Sequence, residues 1–240
     1  MRSFSQIAVL LPVHQPGPHL TELVVDLVAQ VPAASRIVVV DDGSDPGSRH
    51  TVDSVQALGC TVLRHPVNRG KGAALKTGLT HLRSAHPGLD VVCADADGQH
   101  HADDIRQVAD RIRPGRIVLG VREVEQMPAR SRWGNTLTRV LFRGATGYRV
   151  PDTQTGLRGF PADLLDRLCE VPGDGFEYEM NVLLDAAATR LPLDTVSIPV
   201  RYLNDNKGSH FGSVTDSVRV YSPLLRYALA GLIGGNRNPR

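Results

Sequence analysis

The sequence predicts an α/β fold, a mostly parallel β-sheet with helices on both faces. Three observations carry that expectation. Short β-branched apolar runs recur through the first half of the chain, segments with apolar residues at helical spacing separate them, and each run ends on residues suited to turns. Such βαβαβαβ alternation makes parallel strands joined by right-handed crossovers. In open sheets of this class ligands collect at the carboxyl ends of the strands, so the residues standing there are the ones to weigh.

In chain order, Ile7 to Val13 reads as a buried strand and His14 to Pro18 as a Pro/Gly/His loop. A helix follows from His19 to Val31, with Leu20, Leu23, Val24, Leu27 and Val28 at helical spacing. Arg36 to Ser44 repeats the pattern, its strand ending on Asp41 and Asp42. Cys60 to Leu63 is a third strand, Leu89 to Ala94 a fourth and Arg116 to Val121 a fifth, with helices over 47–58, 71–84 and 102–112 between them. The alternation then stops. A polar loop from Arg122 to Arg132, a helix from Trp133 to Thr146, a helix from Pro161, another entered through Phe176 to Asp185, and a late strand from Leu193 to Tyr202 complete the reading. Residues 204–211 have turn chemistry throughout. The expected organisation is one domain over 1–213 and a C-terminal amphipathic helix and tail over 214–240, with no internal repeat or linker.

With 240 residues the chain can bury one substantial core. At 41% hydrophobic and 22% charged residues it is an ordinary globular protein, and a net charge of +2 without a basic stripe gives no reason to expect nucleic acid as a partner. Cys60, Cys93 and Cys169 are scattered through apolar segments, which supports neither a disulfide framework nor a zinc site and makes a reducing, cytoplasmic compartment the default. No secretory leader is evident, and no segment reaches the roughly 18 apolar residues of a spanning helix. Any work at a membrane would be done from its surface.

The chemistry concentrates where strands end. Asp95 and Asp97 flank Ala96 and precede Gly98 and Gln99; two carboxylates on a turn can hold a hard divalent cation, with Gln99 adding a neutral oxygen. Aspartates also cap turns and helices, and the spacing alone leaves that alternative open. Adjacent His100 and His101 read as loop and helix entry. Asp41 and Asp42, before Gly43 and Ser44, suit the hydroxyls and N–H groups of a nucleoside or a simple turn. Asn68 to Gly72 opens a helix with glycines, so its N–H groups and Lys71 could meet a pyrophosphate. Glu177 and Glu179 lie in a first helical turn, where the helix dipole is a sufficient reason for carboxylates. Trp133, Leu137, Val140, Leu141 and Phe142 belong to the core or to a lipid-side face.

Taken together, Leu11–Val13, Asp41–Ser44, Asn68–Gly72, Asp95–Gln99, Asp152–Gly156 and Phe176–Glu179 resemble the family-two glycosyltransferases of GT-A fold, a Rossmann-like sheet. Within them the chain is most similar to the polyprenyl-phosphate (dolichyl-phosphate-like) mannosyl- and glucosyltransferases, over about Ile7 to Tyr221. The resemblance implies a metal-dependent inverting transfer of a hexose from a nucleotide diphosphate sugar, of GDP-mannose or UDP-glucose type, to a polyprenyl phosphate. It implies that Pro12, Val13, Asp41, Asp42, Lys71, Asp95 and Ala96 line the nucleotide pocket, and that Asp97 and Gln99, with Asp95 nearby, hold Mg²⁺ or Mn²⁺. It makes Asp152 the counterpart of a residue assigned as catalytic, and matches Arg122 and Arg132 to arginines that bind acceptor or diphosphate. Gln154, Arg201, Lys207, Ser209 and His210 follow as acceptor or diphosphate contacts, with Arg130 a weaker one.

A phosphate acceptor already carries about −1.5 to −2 charges. It needs positioning and charge relief more than a base, which suits guanidinium groups. Many relatives carry C-terminal transmembrane helices, whereas this sequence ends at Arg240 with only the stretch 221–233 to lie on a bilayer. The expectation is a cytoplasmic, peripheral enzyme at the inner face of the membrane, with room for a membrane partner protein, a homo-oligomer or a longer parent chain. The alternatives are a family-two enzyme using a soluble or glycan acceptor, which would need a general base, and a non-catalytic nucleotide-sugar-binding regulatory subunit.

Overall fold

The computed structural model describes residues 6–122, 129–199, 223–225 and 227, with backbone alone for 129–134. Among the described residues seven strands form one sheet: β1 (Ile7–Val13), β2 (Ile37–Asp41), β3 (Thr61–Arg64), β4 (Asp90–Cys93), β5 (Ile117–Arg122), β6 (Arg158–Phe160) and β7 (Leu193–Ile198), in the order β3-β2-β1-β4-β6-β5-β7. All neighbours are parallel except β6, which runs antiparallel to both β4 and β5. The helices are α1 (Pro18–Val28), α2 (Arg49–Ala57), α3 (Lys71–Ala85), α4 (Ala102–Arg111), α5 (Ala129–Thr146), α6 (Leu165–Glu170) and α7 (Glu177–Ala188).

Because side chains alternate along a strand, the apolar runs feed two cores. Ile7, Val9, Leu11, Val39 and Val92 pack with Leu20, Leu27, Val55 and Ile105, from α1, α2 and α4. Ala8, Leu10, Val38, Val40 and Val91 pack on the other face with Leu75, Leu79, Phe142, Leu165 and Leu183, from α3, α5, α6 and α7. Each fully buried aliphatic side chain contributes about 1.5–3 kcal/mol, so a one-residue slip of β1 would exchange the two faces and is strongly disfavoured. The expected α/β architecture with helices on both faces is the one observed.

Glycines set the position of α3. A Cβ at Gly78 would lie 2.1 Å from Leu10 Cδ1, and one at Gly72 would lie 2.6 Å from Tyr178 Cβ. Their absence lets α3 lie directly on β1 and against the start of α7, bringing its first residue, Lys71, to the strand ends.

The structure departs from the sequence reading in two places. The helix expected from Trp133 begins at Ala129, so the arginine-rich connection after β5 is shorter. The segment after Asp152 contains β6, for which no strand was expected. The late strand is described over Leu193–Ile198, and the end of its expected range, 200–202, lies outside the described residues. The 213/214 boundary and the turn region 204–211 lie outside the described residues, as do Arg201, Lys207, Ser209 and His210 and the side chains of Arg130, Arg132 and Trp133. All three cysteines are free, with Cys60 and Cys93 buried, and among the described residues no helix is long and apolar enough to cross a membrane.

Candidate active site

The register of β1, β2 and β4 brings three of the motifs to one end of the sheet. Val13 pairs with Asp41, Pro12 with Val40, and Leu10 with Cys93, just before Asp95. Pro12 is half-buried and Val13 nearly fully buried, a floor beside the strand-end carboxylates. Asp41 Oδ1 accepts the Ser44 N–H at 3.0 Å, the local turn that aspartate favours.

Asp42 is occupied by its own loop. Its Oδ1 accepts His65 Nδ1–H at 2.6 Å and the Arg69 N–H at 2.9 Å, and its Oδ2 accepts the Gly70 N–H at 2.7 Å. His65 Nε2 lies 2.9 Å from Thr77 Oγ1, so the ring bridges Asp42 and α3. Gly70, at φ 99°, makes the turn into α3, and a Cβ there would stand 2.4 Å from the Asp174 carbonyl oxygen. The next N–H groups are also taken: Gly72 donates to Gly175 O at 3.2 Å and Ala73 to Asp174 O at 2.9 Å. The expectation that this helix start offers its N–H groups to a pyrophosphate is therefore corrected, because Asp42 and the 174–175 carbonyls already accept from four of them.

Lys71 turns inward. Its Nζ lies 2.7 Å from Asp95 Oδ1 and 2.9 Å from Glu179 Oε2, with the side chain 15% exposed. Burial opposes its charge, yet the two carboxylates hold the ammonium above the usual lysine range. Asp95 is the converse: burial disfavours its ionised form, but Lys71, assisted by His100 and Arg122, keeps the carboxyl below the usual carboxylate range. The second Asp95 oxygen rests against Gly156, where a Cβ would come within 2.1 Å of it. Glu179 continues the chain of charges to Arg158, whose Nε is 3.9 Å from Glu179 Oε1 and whose Nη1 donates to the Glu179 carbonyl at 2.7 Å. Glu177, by contrast, accepts the N–H groups of Asp174 and Gly175 and caps its own loop.

Asp97 stands apart. It is half-buried, as is Ala96 before it, and its carboxylate accepts from Gln99 N and Gln99 Nε2 at 3.1 and 2.9 Å; no lysine or arginine among the described residues pairs with it. His100 is buried with Nδ1 unpartnered. Burial holds its ring below the usual imidazole range although Asp95 and Asp97 favour the charged form. His101 enters α4, its N–H donating to Asp104 Oδ2 at 2.9 Å.

From β5, Arg122 reaches Asp152 with Nε to Oδ2 at 2.8 Å and Nη2 to Oδ1 at 3.3 Å. Asp152 is 0% exposed and also accepts the Gln154 N–H. It is both the turn cap that aspartate commonly forms and the clamp on the arginine. Sequence reasoning missed His65 and Arg158; the resemblance implied a site-facing role for one of Glu177 and Glu179 but not which. His65 directly follows β3 at the carboxyl end, a position that could have flagged it; nothing local marks Arg158.

Residues 8–169 match the family profile described as Glycosyl transferase family 2, more than half of the chain. The chain belongs to glycosyl transferase family 2. Its relatives include an uncharacterized protein, MJ1222, of Methanocaldococcus jannaschii, 32% identical over 69% of this chain and 70% of the relative. A UDP-N-acetylglucosamine–dolichyl-phosphate N-acetylglucosaminyltransferase of Methanococcus voltae is 28% identical over 69% of this chain and 74% of its own. The dolichyl-phosphate beta-glucosyltransferase of Saccharomyces cerevisiae is 25% identical over 90% and 70%. Among solved structures, glucosyl-3-phosphoglycerate synthase from Mycobacterium tuberculosis, in complex with Mn²⁺, UDP and phosphoglyceric acid, superposes with a TM-score of 0.71 at 21% identity, covering 93% of this chain and 78% of that one. This family 2 glycosyltransferase thus has the GT-A fold, and the strand ends described above are where its motif residues gather.

Proposed function

We propose that this glycosyltransferase moves a hexose from a nucleotide diphosphate sugar to a polyprenyl phosphate, with inversion, by in-line attack of a phosphate oxygen on the anomeric carbon. The observation that carries the acceptor is the state of Asp152. A fully buried carboxylate that accepts two N–H groups of Arg122 and one of Gln154 is placed to orient the guanidinium, not to take a proton from a substrate. A hydroxyl acceptor needs such a base; a phosphate monoester, already anionic, needs the arginine. The names of the polyprenyl-phosphate relatives support the same acceptor.

The donor side fits a hard divalent cation. Asp97 lacks a cationic partner among the described residues and Gln99 adds an amide oxygen, whereas no three His, Cys, Asp or Glu side chains converge among them. One or two protein oxygens, completed by diphosphate and water, is a common mode of holding Mg²⁺ or Mn²⁺. Asp97 and Gln99 would hold the ion, which when bound supplies Lewis acidity for the departing nucleoside diphosphate. Asp95, neutralised by Lys71, faces the nucleoside with Asp41 and Pro12. Arg132, Arg201, Lys207, Ser209 and His210 complete the acceptor and diphosphate side in this proposal.

The decisive experiment incubates the protein with labelled UDP- and GDP-sugars and a short polyprenyl phosphate, with and without EDTA. Chloroform-extractable label that disappears with EDTA is expected. Water-soluble glycoside or free sugar in its place would overturn the acceptor, and full turnover by Asp97→Ala would overturn the metal assignment.

Helix α5 supports a membrane-surface location. Leu137, Val140 and Leu141 are 53, 63 and 40% exposed, and the helix carries Arg130, Arg132, Arg139 and Arg143 without one acidic residue. An apolar stripe bordered by arginines fits an anionic bilayer surface. Leu137→Glu/Val140→Glu is expected to lower sedimentation with phosphatidylglycerol vesicles by about tenfold while leaving the circular dichroism spectrum unchanged; equal sedimentation would exclude this face.

A further inference from the structure

We propose that Glu179, acting through Lys71, is a positioning residue that fixes the Asp95 carboxylate for nucleotide binding. The inference rests on Asp95 facing the nucleoside, as read above. Four charges of alternating sign, Asp95, Lys71, Glu179 and Arg158, run from the end of β4 through the first residue of α3 and the first turn of α7 to β6. Their side chains are 31, 15, 15 and 3% exposed, so Arg158 is the most buried and Asp95, the member that meets the site, the most exposed.

The far end is anchored independently of any ligand. Arg158 donates from Nε to Thr155 O at 2.9 Å and from Nη1 to Glu179 O at 2.7 Å, both backbone groups. Glu179 therefore presents its carboxylate from a held segment. Lys71 cannot straighten toward solvent without leaving two half-buried carboxylates, Glu179 and Asp95, unpaired, which is unfavourable. Asp95 is consequently confined at both oxygens: Oδ1 pairs with Lys71, and Oδ2 lies close against Gly156, where there is no room for a Cβ. A carboxylate held this way keeps one orientation before ligand arrives, so binding does not have to order it. Asp97, two residues on, is bonded among the described residues only within its own turn and lies outside the chain of charges. Glu179 should then affect the nucleotide and not the cation.

The test measures UDP and GDP binding in the presence of Mn²⁺ by calorimetry, and Mn²⁺ alone by electron paramagnetic resonance. With the nucleotide that wild type binds more tightly, Glu179→Gln is expected to weaken affinity about tenfold while Mn²⁺ affinity stays the same. Glu179→Gln/Asp95→Asn should bind no more weakly than Asp95→Asn, because a residue acting through Asp95 has nothing left to position. Unchanged affinity in Glu179→Gln, equal losses for nucleotide and Mn²⁺, or additive losses in the double variant would overturn the inference while leaving the donor assignment standing. Wild type that binds neither nucleotide would overturn the donor assignment and this inference with it. Should Glu179→Gln not fold, Glu179→Asp decides: about threefold weaker nucleotide binding is expected, and wild-type affinity would refute.

Discussion

Replacing Arg122 with alanine is expected to cost about 3–5 kcal/mol of folding stability, the range for removing one partner of a buried ion pair, and to abolish transfer. Asp152 is 0% exposed, and its two contacts from Arg122 are its only charged ones among those described; the Gln154 N–H alone would remain. An ionised carboxylate sealed from water with one neutral donor has lost most of what made its burial tolerable. The Arg122 side chain is 20% exposed, so solvent relaxes part of the penalty, and the lower end of the range is the better guide. Urea denaturation checks the number. The informative companion is Arg122→Ala/Asp152→Asn, expected to recover part of the lost stability because the second substitution removes the unpaired charge. Transfer should not recover, since the guanidinium proposed to meet the acceptor phosphate is gone. A single variant within about 1 kcal/mol of wild type, the value of an exposed pair, would show that this ion pair is not what holds the segment after Asp152.

The parallel half of the sheet was legible in the sequence for a physical reason. β1, β2, β4 and β5 are buried on both faces over most of their length, so each is built around an apolar run, and burial of that kind leaves a mark that needs no knowledge of neighbours. The strand-end aspartates were legible because topology alone places them together. β6 was not. Three residues, Arg158-Gly159-Phe160, have no periodicity to read, and Gly159 is required by something distant in sequence: a Cβ there would meet Val108 Cγ1 at 2.8 Å and Ile112 Cγ1 at 2.9 Å on the far side of the sheet. The same holds for the partners of the aspartates. Which carboxylate is neutralised and which is left for a cation depends on where Lys71 and Arg122 reach, and Lys71 reaches inward only because Gly70, Gly72 and Gly78 let α3 settle against β1 and α7. The motif residues could be named from sequence; their division into gripped Asp95 and cation-facing Asp97 is a proposal that only packing could suggest.

That division gives Gly156→Ala an effect out of proportion to one methyl group. The residue is buried directly after Thr155 and before Leu157, whose backbone carbonyl accepts the Gly120 N–H at 2.9 Å, so the backbone cannot retreat without disturbing the junction of β5 and β6. The added Cβ would stand 2.1 Å from Asp95 Oδ2 and 2.6 Å from its Cγ. A carboxylate at a strand end could ordinarily swing away, but Lys71 holds the other oxygen at 2.7 Å and is itself held by Glu179. The clash must therefore be shared between the Asp95 rotamer and the ion pair. Overpacking of this kind costs about 1–3 kcal/mol, which the fold should survive, while a displacement of about 1 Å in a substrate-positioning group can cost on the order of 100-fold in rate. The expected result is a folded variant with transfer reduced about 100-fold, the loss falling on nucleotide affinity as well as on turnover. Combining it with Asp95→Ala, which removes the obstructing carboxylate, should relieve the stability loss without restoring activity. Both outcomes follow from thermal denaturation and initial rates on three purified variants. A Gly156→Ala enzyme with wild-type kinetics would mean that Asp95 is free to move, and the gripped carboxylate would have to be abandoned.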